Sequence, residues 1–394
     1  MSRPSAWLQR TGAVATGLVA ITLVGIFGSA QLATAGSLQR QVAAGSSTST
    51  TSGSSTTSTS LGSTTTSTTT TTLPLPVQPG HCPLTGLPAP AGVVPARGAI
   101  GVKIDNYGLG PEPTGARPQL GLQAADLVYE EQVEARITRY VAILQCATPS
   151  VLIGPIRSAR LADLAILAPL GGATLVHVGG IAPILSLLKS GGLSDLDLMA
   201  HANLELHPKP WVSPHDVFAL SGNLYSAVTP AKTPASASPA LFSYAKTAGS
   251  GTKTSSVRLN WSVYSDLTWS WSASTHSWHR NYNVSRTRTV KLQADVQADR
   301  WPVQTTNVVI QVIHYTYGPW VEDANGSLES VPQIVGNHGV AWILRDGVRQ
   351  LAHWVNNGPG DRTVYTLANG KPANLQSGST WVELYPDDRT ISFR

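Results

Sequence analysis

Two arginine- or glycine-bearing turns and a scatter of carboxylates and histidines hold the chemistry this sequence could perform. Arg157, Ser158 and Arg160 stand where a β-rich run gives way to a helical one. A helix N-terminus offers free N–H groups and a positive dipole end, so arginines beside it could complete an anion site. Gly179-Gly180 forms a second strand-to-helix turn with backbone open to close approach. If the two preceding strands are parallel, both turns share one sheet edge, where open α/β sheets bind ligands. The alternative is a serine helix cap, with the arginines paired to Asp163 or another carboxylate. Neither turn carries a full phosphate-loop signature.

Acid–base chemistry has its own candidates. Glu131 alternates onto the face of Leu127, Tyr129 and Val133, and Arg139 onto that of Ile137, Val141 and Ile143. Charges on apolar faces are uncommon unless paired or functional. A Glu131–Arg139 salt bridge is the simpler reading. The sharper one groups Glu131 with Asp105 or Glu130 as acid–base carboxylates. His177, at a strand end, and His215, before Asp216, are candidate general bases. There is no Gly-x-Ser-x-Gly elbow and no His pair at helical metal-ligand spacing, so the sequence points to no metal and no cofactor.

These residues need a framework. Residues 82–230 alternate strand-like stretches (99–104, 127–133, 137–144, 151–156, 173–178) with helical ones, near 158–167 and again after Gly179-Gly180. The second helix carries Ile181, Ile184, Leu185 and Leu188 on one face. The runs at 127–133 and 137–144 form a hairpin, and the whole reads as an α/β N-terminal domain with a mixed sheet. A linker at 231–240 leads to residues 241–394, a mainly β C-terminal domain. Nine of the 11 Trp lie from Trp261 onward, and Asp346-Gly347 and Asn369-Gly370 sit between β-rich runs as type I′ turns require. Trp269 and Trp271 share a face that could stack on sugars, although most of these tryptophans belong in a core.

Ahead of these regions, an apolar run at 13–30 follows Arg3 and Arg10, making residues 1–35 a signal peptide or a transmembrane anchor. Ala33-Thr34-Ala35 offers a cleavage site, and no Cys follows closely enough for a lipid anchor. Either way the bulk of the chain lies outside the cytoplasm, bound to the membrane if the segment is retained. Residues 36–81, rich in Ser, Thr and Pro, form a disordered tether whose Ser/Thr tract reaches about 30 Å. The net charge of +5 invites a nucleic-acid reading, but Arg3, Arg10 and Arg40 precede any acidic residue. The remainder carries 24 Lys/Arg against 22 Asp/Glu, and residues 82–230 carry 9 against 11, so no nucleic-acid partner is expected. Cys82 and Cys146, in an oxidising compartment, read first as a disulfide, with free buried thiols as the alternative.

A series of ordered motifs resembles the YerB-like family of bacterial envelope proteins. In the first region these are Pro83-Leu84-Thr85-Gly86, Val102-Lys103-Ile104-Asp105-Asn106 and Ala116-Arg117-Pro118-Gln119. They continue through Ala125-Asp126-Leu127-Val128-Tyr129-Glu130-Glu131, Ile137-Thr138-Arg139 and Gly154-Pro155-Ile156-Arg157-Ser158-Ala159-Arg160, with His177 and Pro214-His215. In the second region Asn307-Val308-Val309-Ile310, Arg345-Asp346-Gly347 and Gly378-Ser379-Thr380-Trp381-Val382 are similar. The chain departs from the family at Ala135-Arg136, where small residues are expected, at Asp216 in place of Asn, and in lacking a lipoprotein signal. The resemblance implies an extracytoplasmic protein of two domains without supplying a reaction.

Three functions are open. The first is a non-catalytic envelope binding or scaffold protein. Its anionic or sugar-containing ligand would be held by Arg117, Arg157, Ser158, Arg160, Gly179 and Gly180. The second is a hydrolase of envelope glycan or peptide using Glu131, Asp105 and His177, which requires these side chains to converge. The third is a structural partner in a membrane complex, which requires an exposed apolar patch.

Overall fold

A computed structural model describes residues 80–90, 97–108, 115–146, 150–209, 211–228, 240–284, 291–294 and 303–394. The apolar segment at 1–35, and nearly all of the tether (36–81) and linker (231–240), lie outside the described residues. Among the described residues no helix is long and apolar enough to cross a membrane.

The first region supplies β1 (Ile100–Asp105), β2 (Leu127–Gln132), β3 (Thr138–Leu144), β4 (Leu152–Ile153), β5 (Thr174–His177), β6 (Ser194–Asp197) and β7 (Ala219–Leu220). Its helices are α1 (Ala162–Leu167), α2 (Ala182–Ser190) and α3 (Ser221–Val228). Strand β3 lies antiparallel between β1 and β2, while β1, β5 and β6 are mutually parallel. The mixed sheet follows as expected, with β1 and β3 buried throughout.

One expected element changes. The strand at 151–156 contracts to β4, which pairs with β7 away from the large sheet. Gly154, at φ +152°, and Pro155 interrupt it, and proline removes a ladder donor. The helix expected from about 158 starts at Ala162, because the backbone ahead of it is already engaged. Arg157 N–H donates to the Lys103 carbonyl, the Arg157 carbonyl accepts from Val178, and Ala159 N–H donates to Gly179. Arg157 therefore does not follow a parallel strand, and the two turns are not equivalent.

The second region supplies β8 (Thr252–Lys253), β9 (Ser256–Ser262), β10 (Ser265–Ser272), β11 (Ser277–Val284), β12 (Lys291–Ala294), β13 (Gln304–Thr305) and β14 (Asn307–Ile313). It continues with β15 (Tyr315–Val321), β16 (Leu328–Pro332), β17 (His338–Arg345), β18 (Val348–Val355), β19 (Val364–Leu367), β20 (Thr380–Pro386) and β21 (Ile391–Phe393). Asp346 and Gly347 both adopt positive φ between β17 and β18, as a type I′ turn requires.

Both regions build one sheet of eleven strands, ordered β19-β18-β17-β14-β20-β2-β3-β1-β5-β6, with β8 beside β18. The junction is the parallel pairing of β2 with β20, from Leu127↔Thr380 to Glu130↔Glu383. Helix α1 covers one face: Leu167 rests on Gly101, where an added Cβ would meet it at 2.7 Å. A second sheet, β12-β11-β10-β9-β21 with β13 beside β11, packs its apolar side chains into the core of the other face. Trp261, Trp269 and Trp278 are fully buried there, and Trp269 meets Trp381 edge-on at 5.3 Å. Trp269 is thus a core residue, while Trp271 is partly buried against Trp278.

Candidate functional site

Strands β1, β2, β5 and β6 run in one direction, so their carboxyl ends share an edge of the large sheet. Asp105 ends β1. Its Oδ2 lies 2.7 Å from His215 Nδ1 and 3.0 Å from Arg157 Nε, and its Oδ1 accepts from Tyr107 N–H at 3.0 Å. The His215 ring stacks on Tyr107, centroids 5.6 Å apart and planes inclined by 11°. Tyr107 is 43% exposed and the Arg157 side chain 26%. Burial alone would raise the Asp105 carboxyl. The His215 hydrogen bond and the charges of Arg157 and Arg139 outweigh it, so the group stays ionised below the usual range. An ionised carboxylate at Nδ1 orients the imidazole. His215 Nε2 makes no hydrogen bond to a described residue.

Behind this rim, on the α1 side, is a buried ionic cluster. Lys103 pairs with Glu131 and, at 2.6 Å, with Asp163. Glu134 takes Arg139 at 2.8 Å and Arg160 at 2.6 Å, and Arg160 also reaches Glu322 at 3.1 Å. Glu329 accepts from Leu161 N–H at 2.7 Å. Five carboxyls thus meet three cations. Burial pushes Glu131 up to about 7 despite Lys103, and pushes Glu329 up to about 7 as well. On the opposite face Glu130 pairs with Arg280 at 2.7 Å. There Asn106 Oδ1 accepts from Arg117, Gln119 and Tyr282.

Of the residues singled out in the sequence, Asp105, His215 and Arg157 meet at the rim. The others do not join them. Glu131 and Arg139 face each other across β2 and β3, yet Glu131 turns to Lys103 while Arg139 turns to Glu134 and the Ser158 carbonyl. The expected Glu131–Arg139 bridge is therefore replaced by two other pairs, because a second cation and a second carboxylate lie closer on the same face. His177 is buried, with Nδ1 2.9 Å from the Gly179 carbonyl and Nε2 3.2 Å from Asp195. Gly179 N–H donates to Asp197, and Gly180 is half-buried. Arg160 is enclosed by Glu134 and Glu322. Arg117 is buried over the Tyr282 ring, 3.5 Å from its centroid. Ser158 is half-buried beside Arg157. Sequence reasoning missed Lys103, whose alternation with Gly101 in β1 puts a charge on a buried face, and Tyr107, which carried no signal. Cys82 and Cys146 are joined in a disulfide.

Two family models match this chain: "Protein of unknown function (DUF3048) N-terminal domain" over residues 84–233, and its C-terminal counterpart over residues 257–382. The chain belongs to the DUF3048 family. "Putative lipoprotein YerB" of Bacillus subtilis is 44% identical to it over 78 residues, a stretch spanning 20% of this chain and 21% of that protein. The crystal structure of YerB from the same organism matches at a TM-score of 0.62 and 23% identity, covering 79% of this chain and 99% of that one. That likeness shows that the two chains share a fold.

Proposed function

We propose that this DUF3048 protein is an envelope-associated binding protein, working outside the cytoplasm, whose anionic ligand docks at the rim of Asp105, Arg157, His215 and Tyr107. One observation carries the reading: Arg157 and His215 are gathered by one ionised carboxylate beside an exposed aromatic ring. Arg117, Arg160 and Lys103 are committed to internal partners, so among the described residues Arg157 is the cation left to meet an anion here, with His215 beside it. An aromatic face flanking charge-assisted donors suits a phosphate- or carboxylate-bearing sugar polymer. The name of the Bacillus subtilis relative supports the location. The test is retention of the full chain on a polyglycerol-phosphate matrix. Arg157→Ala removes one charge-assisted hydrogen bond and should weaken binding roughly tenfold or more. Unchanged retention would reject the site.

A hydrolytic reading has one specific support, the Asp105–His215 pair with Nε2 turned from the carboxylate. Glu131 and His177 have no part in it, being buried in separate contacts. Turnover of a glycan or peptide that disappears in His215→Ala while binding persists would favour this second reading.

A further inference from the structure

The turn between β9 and β10 is out of character with its place. Its two residues, Val263 and Tyr264, link Ser262 to Ser265, positions where a tight turn favours Gly, Asn or Asp. Val263 is 82% exposed, so burial does not account for it. Neither residue takes a positive φ, and a bulge follows between Ser265 and Asp266. The turn is nevertheless pinned. Ser262 Oγ accepts from Tyr264 N–H at 3.1 Å, and Arg117 Nη2 donates to the Tyr264 carbonyl at 3.5 Å. Arg117 also donates to the carbonyls of Asn106, at 3.2 Å, and Gly108. One buried guanidinium therefore brackets Tyr107 and ties it to a turn of the second region.

The result is a row of three rings. His215 stacks on Tyr107, and Tyr264 lies beside Tyr107 with centroids 6.2 Å apart and planes inclined by 37°. The row begins at the Asp105 carboxylate that holds Arg157 and ends at the exposed tip. Tyr264 is half-buried, Tyr107 is exposed, and among the described residues neither hydroxyl has a hydrogen-bond partner. An anion at Arg157 uses the head of this row and leaves its tail idle. That tail offers ring surface, an aliphatic side chain and two phenolic hydroxyls, each able to donate or accept. A pyranose matches it, being apolar on its C–H faces and hydroxylated at its edge. We propose that the β9–β10 turn forms a second subsite of the rim, where Tyr264, with Tyr107 and Val263, takes a pyranose ring attached to a phosphate-bearing ligand. This subsite rests on the anionic-ligand reading and narrows it: the first region holds the phosphate, and the second reads the sugar.

Binding of the full chain to two polymers tests this: bare polyglycerol phosphate, and the same polymer carrying glucosyl groups on its glycerol hydroxyls. The glucosyl polymer should bind roughly 3- to 10-fold more tightly, the scale of one aromatic contact. Tyr264→Asn supplies a residue that turns favour, so the melting temperature should hold while the glucosyl preference disappears and bare-polymer binding stays. Tyr264→Phe, which keeps the ring, should retain most of the preference. Val263→Asn, at the exposed tip, should lower it in part. Arg157→Ala should weaken binding to both polymers. Equal binding of the two polymers by the unaltered chain, or a preference that survives both asparagine variants, would overturn the subsite and leave the rim standing. Failure of the unaltered chain to bind either polymer would overturn both. Cosedimentation with phosphatidylglycerol vesicles that Tyr264→Asn abolishes, without any glucosyl preference, would also overturn the subsite and assign the turn to a membrane surface.

Discussion

Glu329 and Glu131 are carboxyls that the fold keeps partly protonated near neutrality. Each is pushed up to about 7 by burial, from an ordinary value near 4.5. Glu383 sits well above the usual range, through burial first and the neighbouring Glu130 second. The native state therefore holds protons that the unfolded chain has released. Stability from these groups is fully present below about pH 4.5 and is lost as pH rises toward 7, flattening above the folded values for Glu131 and Glu329. Asp105 and Glu134 act in the opposite sense. Burial raises both, but for Asp105 His215 and Arg157, and for Glu134 Arg139 and Arg160, outweigh it and hold the carboxyl down. Their contribution is lost only as pH falls through the acid range. The melting temperature should accordingly decline between pH 5 and pH 8. Glu329→Gln, which keeps an acceptor for Leu161 N–H, should shrink that decline, as followed by circular dichroism. A melting temperature that rises steadily from pH 5 to pH 8 would contradict this account.

At the level of the element, the β2–β3 connection stands out. Ala135 and Arg136 both take left-handed conformations, φ 53° and 59°, and Ile137 N–H closes the turn on Glu134 at 3.1 Å. This is type I′ geometry, which favours Asn-Gly or Gly-Gly, formed here by two residues with a Cβ. Each non-glycine residue costs roughly 1–2 kcal/mol in that region, while a glycine forfeits about 0.4–1 kcal/mol through the freedom of the unfolded chain. The double variant Ala135→Gly/Arg136→Gly should thus gain on the order of 1 kcal/mol. In urea it should shift the midpoint upward with an unchanged slope. A lowered midpoint would mean that Ala135 or Arg136 makes a compensating interaction. The sequence flagged this place only as a departure from the family's small residues. It showed the flanking strands clearly, because their alternation is local. It concealed the partners of Glu131 and Arg139, because Lys103 and Glu134 reach them from neighbouring elements rather than along the alternation of one strand. Asp105, Arg157 and His215 were each visible by type, but their meeting depends on chain folding across 110 residues.

At the scale of the whole molecule, two sequence regions that read as separate domains share one sheet. The parallel pairing of β2 with β20 joins residues some 250 positions apart, and nothing local in either strand announces such a partner. Charged and aromatic contacts cross the same junction. Glu130 of the first region pairs with Arg280 of the second, both fully buried. The Tyr140 hydroxyl lies 2.6 Å from that of Tyr282. Withdrawing either region would leave its member of this pair without its counter-charge. Separation would also expose the β2 and β20 edges and the tryptophans packed between the sheets, surface that invites aggregation. Calorimetry of the full chain should therefore show a single transition for the two regions together. Residues 82–230 and 241–394, expressed apart, should each lack the near-ultraviolet signature of a packed core and recover it when coexpressed. Two resolved transitions, or one half folded alone with a fixed core, would mean that the shared sheet is an interface between independent domains.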